Sequence, residues 1–509
     1  MHRGAGAFPR TRIVSTMESM LVDALVETCQ RFPKRPAVCD DTRVLSYAQL
    51  TRLAAAIRGL VPALTQCERI GIALPASTAF PAALFGTLWA NRIPIPLNFL
   101  LRPQELARIV TDAGIDAIIT IRHFASLVSQ LPVRASFLED LPLKRAMFAA
   151  MLRRAPLPPR VSRDQTAVIL YTSGTSAEPK GVELSFGNLY SNCRDAITSL
   201  GIDPGQRFLN ILPPFHVFGL TAGVLVPVFL GATVHCLPRF NPIATVRAVE
   251  KHRISVLMAI PSMYAAMLRT KSAGPEAFRS LYLAFSGGEP LPDSVRDAFR
   301  ARFGVTLHQG YGLTETSPIV SACSPHEFRE GTVGKPIRNV ELRIIGATGK
   351  DLTTGFEGEI LVRGLGVMKG YFNKPDETRK VIDEAGWFHT GDIGRMDTDG
   401  FLSITGRAKE MLIIGGENVF PREIEAVLES HDAVLQAAVI GVPDGLRGEV
   451  PVAFVIPKKG EEISTDELRN FARKSLPSFK TPRRIEIRED LPTGPTGKIL
   501  KRRLRELLG

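Results

Sequence analysis

Tyr171-Thr-Ser-Gly-Thr-Ser-Ala-Glu-Pro-Lys-Gly181 is the stretch on which the reading of this chain turns, and it follows a buried apolar run, Val168-Ile-Leu170. Small hydroxyl residues and glycine let successive backbone N–H groups wrap an anion, and Lys180 adds a point charge. The segment is therefore expected to cradle phosphate at the end of a strand. It is not a Walker A loop, because G-x-x-x-x-G-K-[ST] is absent. Taken alone, such a turn also reads as an ordinary polar loop, so its surroundings decide.

On both sides of the loop, strand and helix patterns alternate. Upstream, Met20 to Arg31, Phe80 to Ala90 and Gln104 to Asp112 repeat apolar residues at helical spacing. Arg69 to Leu74, Ile93 to Leu97 and Ala117 to Thr120 are short strand-like runs. Downstream, strands are expected near Ala167–Tyr171, Thr233–Leu237, Val256–Ala259 and Leu281–Ser286. This alternation predicts α/β layers on parallel sheets. From Gly331 to Thr405 short strands between Gly-rich turns predict a smaller β-rich part. After Gly406 a compact α+β segment is long enough for its own core. The expected division is an extension over 1–19, a large unit over 20–405 with its β-rich part at 331–405, and a small unit over 406–509.

Three further motifs carry chemistry, the second of them in two parts. Tyr311-Gly-Leu-Thr-Glu315 sets an aromatic ring beside glycine for stacking on a purine, and Glu315 is a candidate Mg²⁺ ligand. Trp387-Phe-His-Thr-Gly-Asp392 and Gly406-Arg-Ala-Lys-Glu410 supply a carboxylate and a guanidinium suited to ribose and phosphate oxygens. Pro492-Thr-Gly-Pro-Thr-Gly-Lys498 would hold a lysine out towards a negative target. Each of these, in isolation, also reads as a solvated surface turn.

Composition narrows the classes. The 509 residues are 45% hydrophobic and 22% charged, which excludes a largely disordered or fibrous chain. The six cysteines form no C-x-x-C pair and match no zinc spacing, which points to a reducing, cytoplasmic setting. The net charge of +12 admits anionic small molecules, a membrane surface or nucleic acid. No nucleic-acid-binding motif accompanies it. Residues Phe218 to Val234 are apolar but broken by Gly219, Gly223, Pro227 and Gly231, so a buried helix leading to a strand is expected, not a membrane span. Met1 to Thr16 lacks the apolar core of a secretory signal. Leu141 to Arg163 mixes Lys and Arg with Met147, Phe148, Met151 and Leu152. It reads either as a solvated helix and Pro-rich linker or as a basic amphipathic face for peripheral contact with a membrane.

Together and in this order, the four motifs resemble the adenylate-forming superfamily of acyl-CoA synthetases, luciferases and peptide-synthetase adenylation domains. The resemblance runs from about Met20 to the end of the chain. It implies a large N-terminal domain with two α/β sheets and a β-subdomain, and a small α+β domain that rotates between two half-reactions. A carboxylate would attack the α-phosphorus of ATP and expel pyrophosphate; a thiol would then take the acyl group and release AMP. By motif, Thr172, Ser173, Gly174, Thr175, Ser176 and Lys180 would cover the β- and γ-phosphates. Gly288, Glu289 and Gly312 would border the nucleotide. Tyr311 would stack on adenine, Thr314 would touch the α-phosphate and Glu315 would bind Mg²⁺. Asp392 and Arg407 would hold the ribose, Lys409 would be the hinge, and Lys498 would bridge substrate carboxylate and α-phosphate. His216, in Pro213-Pro-Phe-His-Val-Phe-Gly219, would sit near the substrate carboxylate and the thiol entrance.

The chain departs from the family pattern at Ser176 and Ala177 in the phosphate loop, at Phe186, where a His is common, and at Ile413, where a Lys is common. Members that activate amino acids carry an Asp where this chain has His216, so an α-amino substrate is not expected. Phe215, Ser286, Gly287 and Gly310 form the expected acyl pocket, with absent side chains leaving room for a long tail. A medium- or long-chain fatty acid is favoured, with aryl acids open. CoA is the expected acceptor, since no carrier domain follows Lys498 and no long insertion is evident. The alternatives are a ligase loading a separate acyl-carrier protein and a non-catalytic nucleotide-binding protein of the same fold.

Overall fold

The structure, a computed structural model, describes residues 20–152, 157–172, 179–271, 273–415, 417–445, 448–458, 460–493 and 499–508. The expected extension over 1–19 lies outside them. The described residues form five sheets. The largest has nine strands. Its interior is parallel, running from Leu307–Gly312 through Leu283–Ser286, Val256–Ala259, Arg207–Asn210 and Thr233–Cys236 to Pro36–Cys39. Antiparallel strands close both ends. A second sheet sets Ile93–Pro96, Arg69–Ala73, Ala117–Thr120 and Arg134–Phe137 in parallel. The fold is thus the expected α/β architecture, a large N-terminal domain of several sheets followed by a smaller domain of sheet and helices.

The helices form where their sequences are capped and patterned. Ser46 accepts from the Gln49 N–H and Gln49 returns the bond, starting Tyr47–Leu64. Ser185 and Asn188 do the same for Phe186–Leu200, which ends on Gly201 at φ +62°. Phe186 is buried in the core at that first turn, so the ring standing in place of the common His is a packing residue here. Helix Ala79–Trp89 is buried all round, as its uninterrupted apolar sequence requires. One hydrophobic core joins it to both parallel sheets.

One expectation is corrected. The strand before the phosphate loop, Thr166–Thr172, does not belong to a parallel layer. It pairs antiparallel with Lys180–Ser185, and Gly370–Tyr371 completes a small three-stranded sheet. A parallel return needs a crossover of a dozen residues or more, and only seven separate Thr172 from Lys180.

A fourth, antiparallel sheet comprises Val340–Ile345, Gly358–Gly364, Phe388–Met396 and Leu402–Arg407. The fifth lies in the small domain, where Leu412–Ile414, Val434–Asp444, Gly448–Pro457 and Arg484–Ile487 enclose a separate core with Ile424, Leu428 and Leu468. Phe218 to Val234 is the buried helix-to-strand run expected. It passes from Val217–Leu220 through a π-helical turn at Thr221–Leu225 to Val226–Leu230, then into Thr233–Cys236.

Candidate active site

The candidate residues gather where the parallel strands of the large sheet end and the antiparallel sheet begins. Carboxyl ends of parallel strands are the usual place for a ligand, because the loops there diverge and leave a crevice. Ser286 closes one strand and Gly312 the next; Phe215 and His216 lie just beyond Arg207–Asn210.

Asp392 is the centre of the candidate nucleotide side. It is 2% exposed, and the antiparallel register sets it directly opposite Arg407. Arg407 Nε stands 2.7 Å from Asp392 Oδ1. The Tyr311 hydroxyl, arriving from the large sheet, donates to Asp392 Oδ2 at 2.6 Å. Burial, and then the Asp392 charge, push the Tyr311 hydroxyl far above its ordinary pKa, so it stays a donor. The Asp392 N–H donates to Thr390 Oγ1 at 3.0 Å. Tyr311 and Arg407 thus meet at the one buried carboxylate of Asp392.

Glu315 lies in the short turn Thr314–Thr316. Its carbonyl accepts from the Met368 N–H at 2.8 Å, and its Oε1 accepts from the Tyr371 hydroxyl at 2.9 Å. Thr314 begins that turn and is partly exposed. The turn is tight because Gly312 passes so close to Pro318 that a Cβ there would stand 1.9 Å from the Pro318 carbonyl oxygen. Among the described residues no three His, Cys, Asp or Glu side chains form a metal cluster. One carboxylate suits Mg²⁺, which keeps several waters and takes substrate phosphates as further ligands.

Lys180 projects from the strand after the phosphate loop. Its Nζ is 2.8 Å from Glu377 Oε2 and 5.2 Å from the centre of the Tyr371 ring. Hydrogen bonds from Lys180 and Lys380 lower the Glu377 carboxyl to about 2. Ser173, Gly174, Thr175, Ser176 and Ala177 lie outside the described residues, and so does Lys498. Lys409 follows Arg407 in a short turn. Burial, and then Arg407, lower its pKa, while Glu410, Asp392 and Glu315 act the other way. Lys409 therefore shares the electrostatic field of the site.

On the side where the acyl pocket is expected, His216 precedes Val217–Leu220, and its Nε2 is buried with no hydrogen-bond partner among the described residues. Burial lowers its pKa to about 4, so the imidazole is neutral near pH 7. Phe215 packs edge-on against Phe99, with ring centres 5.1 Å apart. The Ser286 hydroxyl is likewise buried without a partner. Gly288 turns at φ +82°, with Glu289 partly exposed after it.

The room expected beside Gly310 is filled. A Cβ on Gly310 would stand 2.2 Å from Phe285 Cζ, and one on Gly287 would stand 3.5 Å from Phe218 Cε1. The glycines admit aromatic rings from the protein itself instead of leaving open space. Phe218 also lines a small apolar cavity of about 10 Å³, with Leu200, Thr221, Ala222, Val226 and Met258 among the other lining residues.

Sequence reasoning missed Tyr371 and Glu377, which hold Glu315 and Lys180. Neither belongs to a stretch that suggests chemistry. The available signal was the acidic first turn of Pro375–Arg379.

Tyr311, Asp392 and Arg407 thus tie the large α/β sheet to the antiparallel sheet through one buried carboxylate. The profile of the family described as AMP-binding enzyme matches residues 25–372, and that of the AMP-binding enzyme C-terminal domain matches 423–498. The chain belongs to this adenylate-forming family. It is 32% identical to a long-chain-fatty-acid–CoA ligase of Bacillus subtilis (strain 168), over 96% of this chain and 94% of that one. It is 35% identical to a feruloyl-CoA synthase of Amycolatopsis sp, over 95% and 98%. The structure of ATP-bound MatB from Rhodopseudomonas palustris superposes with a TM-score of 0.88 at 29% identity, covering 96% of this chain and 99% of that one.

Proposed function

We propose that this protein is an ATP-dependent acid–CoA ligase acting on an apolar carboxylic acid, with a medium- or long-chain fatty acid as the leading substrate class. The observation that carries the reading is the buried Asp392 held between Tyr311 and Arg407. The Asp392 carboxylate would accept the two ribose hydroxyls, while the Tyr311 ring would offer a face to the base. Thr314 and Lys498 would act at the α-phosphate, and Lys180 with the loop before it would act on the outer phosphates. Lys498 would counter the charge that gathers around phosphorus in the adenylation transition state, a term worth about 10²–10³ in rate. Mg²⁺, held by Glu315 and phosphate oxygens, would supply further charge neutralisation.

Neutral His216 would add no charge of its own beside the acyl carboxylate and would keep an imidazole beside the point of thiol attack. For the second half-reaction the small domain, over 406–509, would turn about Lys409. Free thiols at all six cysteines fit a reducing, cytoplasmic setting. Among the described residues no helix is long and apolar enough to cross a membrane.

An aryl acid is the second reading. The rings of Phe285 and Phe218, lying against Gly310 and Gly287, favour a short flat substrate in the absence of side-chain movement. The test is acid-dependent AMP release from ATP and Mg²⁺ across alkyl and aryl acids, with and without CoA. AMP and acyl-CoA forming together with alkyl acids is the expected result. Acyl-AMP that is not passed to CoA would assign the acceptor to a carrier protein, and no acid-dependent AMP would leave a non-catalytic nucleotide-binding protein.

A further inference from the structure

From Leu141 to Arg163 the chain carries six basic residues and no acidic one. Its helix, Leu143–Leu152, packs on Tyr47–Leu64, with Leu143 and Met147 against the core. At 100° per residue, Phe148 projects on the opposite side, between Lys144 and Arg145. All three are exposed, Phe148 to 59%. Farther on, Leu157 is 88% exposed. Its carbonyl accepts from Trp89 Nε1 at 3.4 Å. Arg160 is exposed three residues later. None of Lys144, Arg145 and Arg160 is in an ion pair with a described residue.

Two large apolar side chains in water among unpaired cations form the pattern of a surface that lies on a bilayer. A purely polyanionic partner would meet the cations and leave Phe148 and Leu157 in water. We propose that this face docks on an anionic lipid surface, with Phe148 and Leu157 entering the interface and Lys144, Arg145 and Arg160 at the headgroups. The contact uses no residue of the crevice.

The test is co-sedimentation of the full chain with vesicles of equal parts phosphatidylcholine and phosphatidylglycerol, against phosphatidylcholine alone. A basic residue near an anionic surface is worth about fivefold in affinity. Lys144→Gln with Arg145→Gln is therefore expected to weaken binding about 25-fold, and Phe148→Ser about tenfold. Acid-dependent AMP release from a soluble acid stays at the parent rate in both variants, which shows that they fold. Parent binding is also expected to fall as salt is raised. Absent binding, equal binding to neutral vesicles, or variants that bind like the parent would overturn the proposal. Equally tight binding to duplex DNA that Phe148→Ser leaves unchanged would assign the face to polyanions and overturn it too.

Discussion

Asp392→Asn removes one charge from the centre of the site and leaves its shape. In the parent, the carboxylate accepts from Arg407 Nε at 2.7 Å and from the Tyr311 hydroxyl at 2.6 Å. An asparagine has one acceptor oxygen for these two donors. Arg407 cannot accept, so the amide oxygen must face it. The amide nitrogen then faces Tyr311, whose hydroxyl turns to accept. Both contacts survive as neutral-acceptor bonds, each weaker by about 1–1.5 kcal/mol than its charge-assisted form. The same difference applies to the two ribose hydroxyls that the carboxylate is proposed to accept. Two such bonds give about 2–3 kcal/mol, or roughly 30–150-fold in kcat/KM for ATP. The loss is expected mainly in KM for ATP, with KM for the acid within about twofold, as read by initial rates of acid-dependent AMP release. Asp392→Ala is expected to be worse for the fold, because it leaves the Arg407 charge with no partner on the neighbouring strand. If Asp392→Asn melts like the parent and its KM for ATP is also unchanged, the carboxylate does not hold the nucleotide and the reasoning fails.

Lys498→Ala is expected to abolish adenylation and to spare thioester formation from supplied acyl-AMP; an equal fall in both half-reactions would refute its role at the α-phosphate. Phe218→Ala removes the ring that lies against Gly287 and lines the small apolar cavity. The ratio of kcat/KM for a long alkyl acid to that for an aryl acid should rise about tenfold, as one buried ring is worth a few kcal/mol; an unchanged ratio would place the acyl tail elsewhere. Burial holds His216 and His235 at about 4, below the ordinary value of 6.5. The unfolded chain then binds protons that the folded one refuses, so stability is intact above about pH 6.5 and falls as pH drops towards 4, by up to about 3 kcal/mol per histidine. His235 stacks on His252, with ring centres 4.1 Å apart. His235→Gln should therefore flatten the drop in urea midpoint between about pH 7 and pH 5; an identical drop would exclude its contribution.

The sequence was legible where chemistry and local geometry coincide. Small residues after Val168-Ile-Leu170 announced a loop at the end of a strand, and Met20 to Arg31 announced a helix. Asp392 and Arg407 could be chosen by residue type but not seen as partners. They lie fifteen positions apart, and only the antiparallel register brings them face to face. The hairpin around the phosphate loop was readable from the seven intervening residues, but the regular alternation on either side masked it. Gly310 misled for a different reason. A missing side chain says only that something approaches closely, and here that neighbour is Phe285. Tyr371 acts through the Glu315 carboxylate, a contact of 56 positions in sequence that no local pattern encodes.

The pairing of Lys180 with Glu377 bears on the order in which ligands come and go. On the proposed role of Lys180, a triphosphate has outer oxygens with which to draw the ammonium away from the carboxylate. A nucleoside monophosphate has none, and the lysine stays where it is. The protein thus presents a competing anion to each nucleotide, one that only the substrate can outbid. Discrimination between incoming ATP and departing AMP is then set partly by a glutamate that touches neither, and product departure leaves the lysine parked for the next cycle.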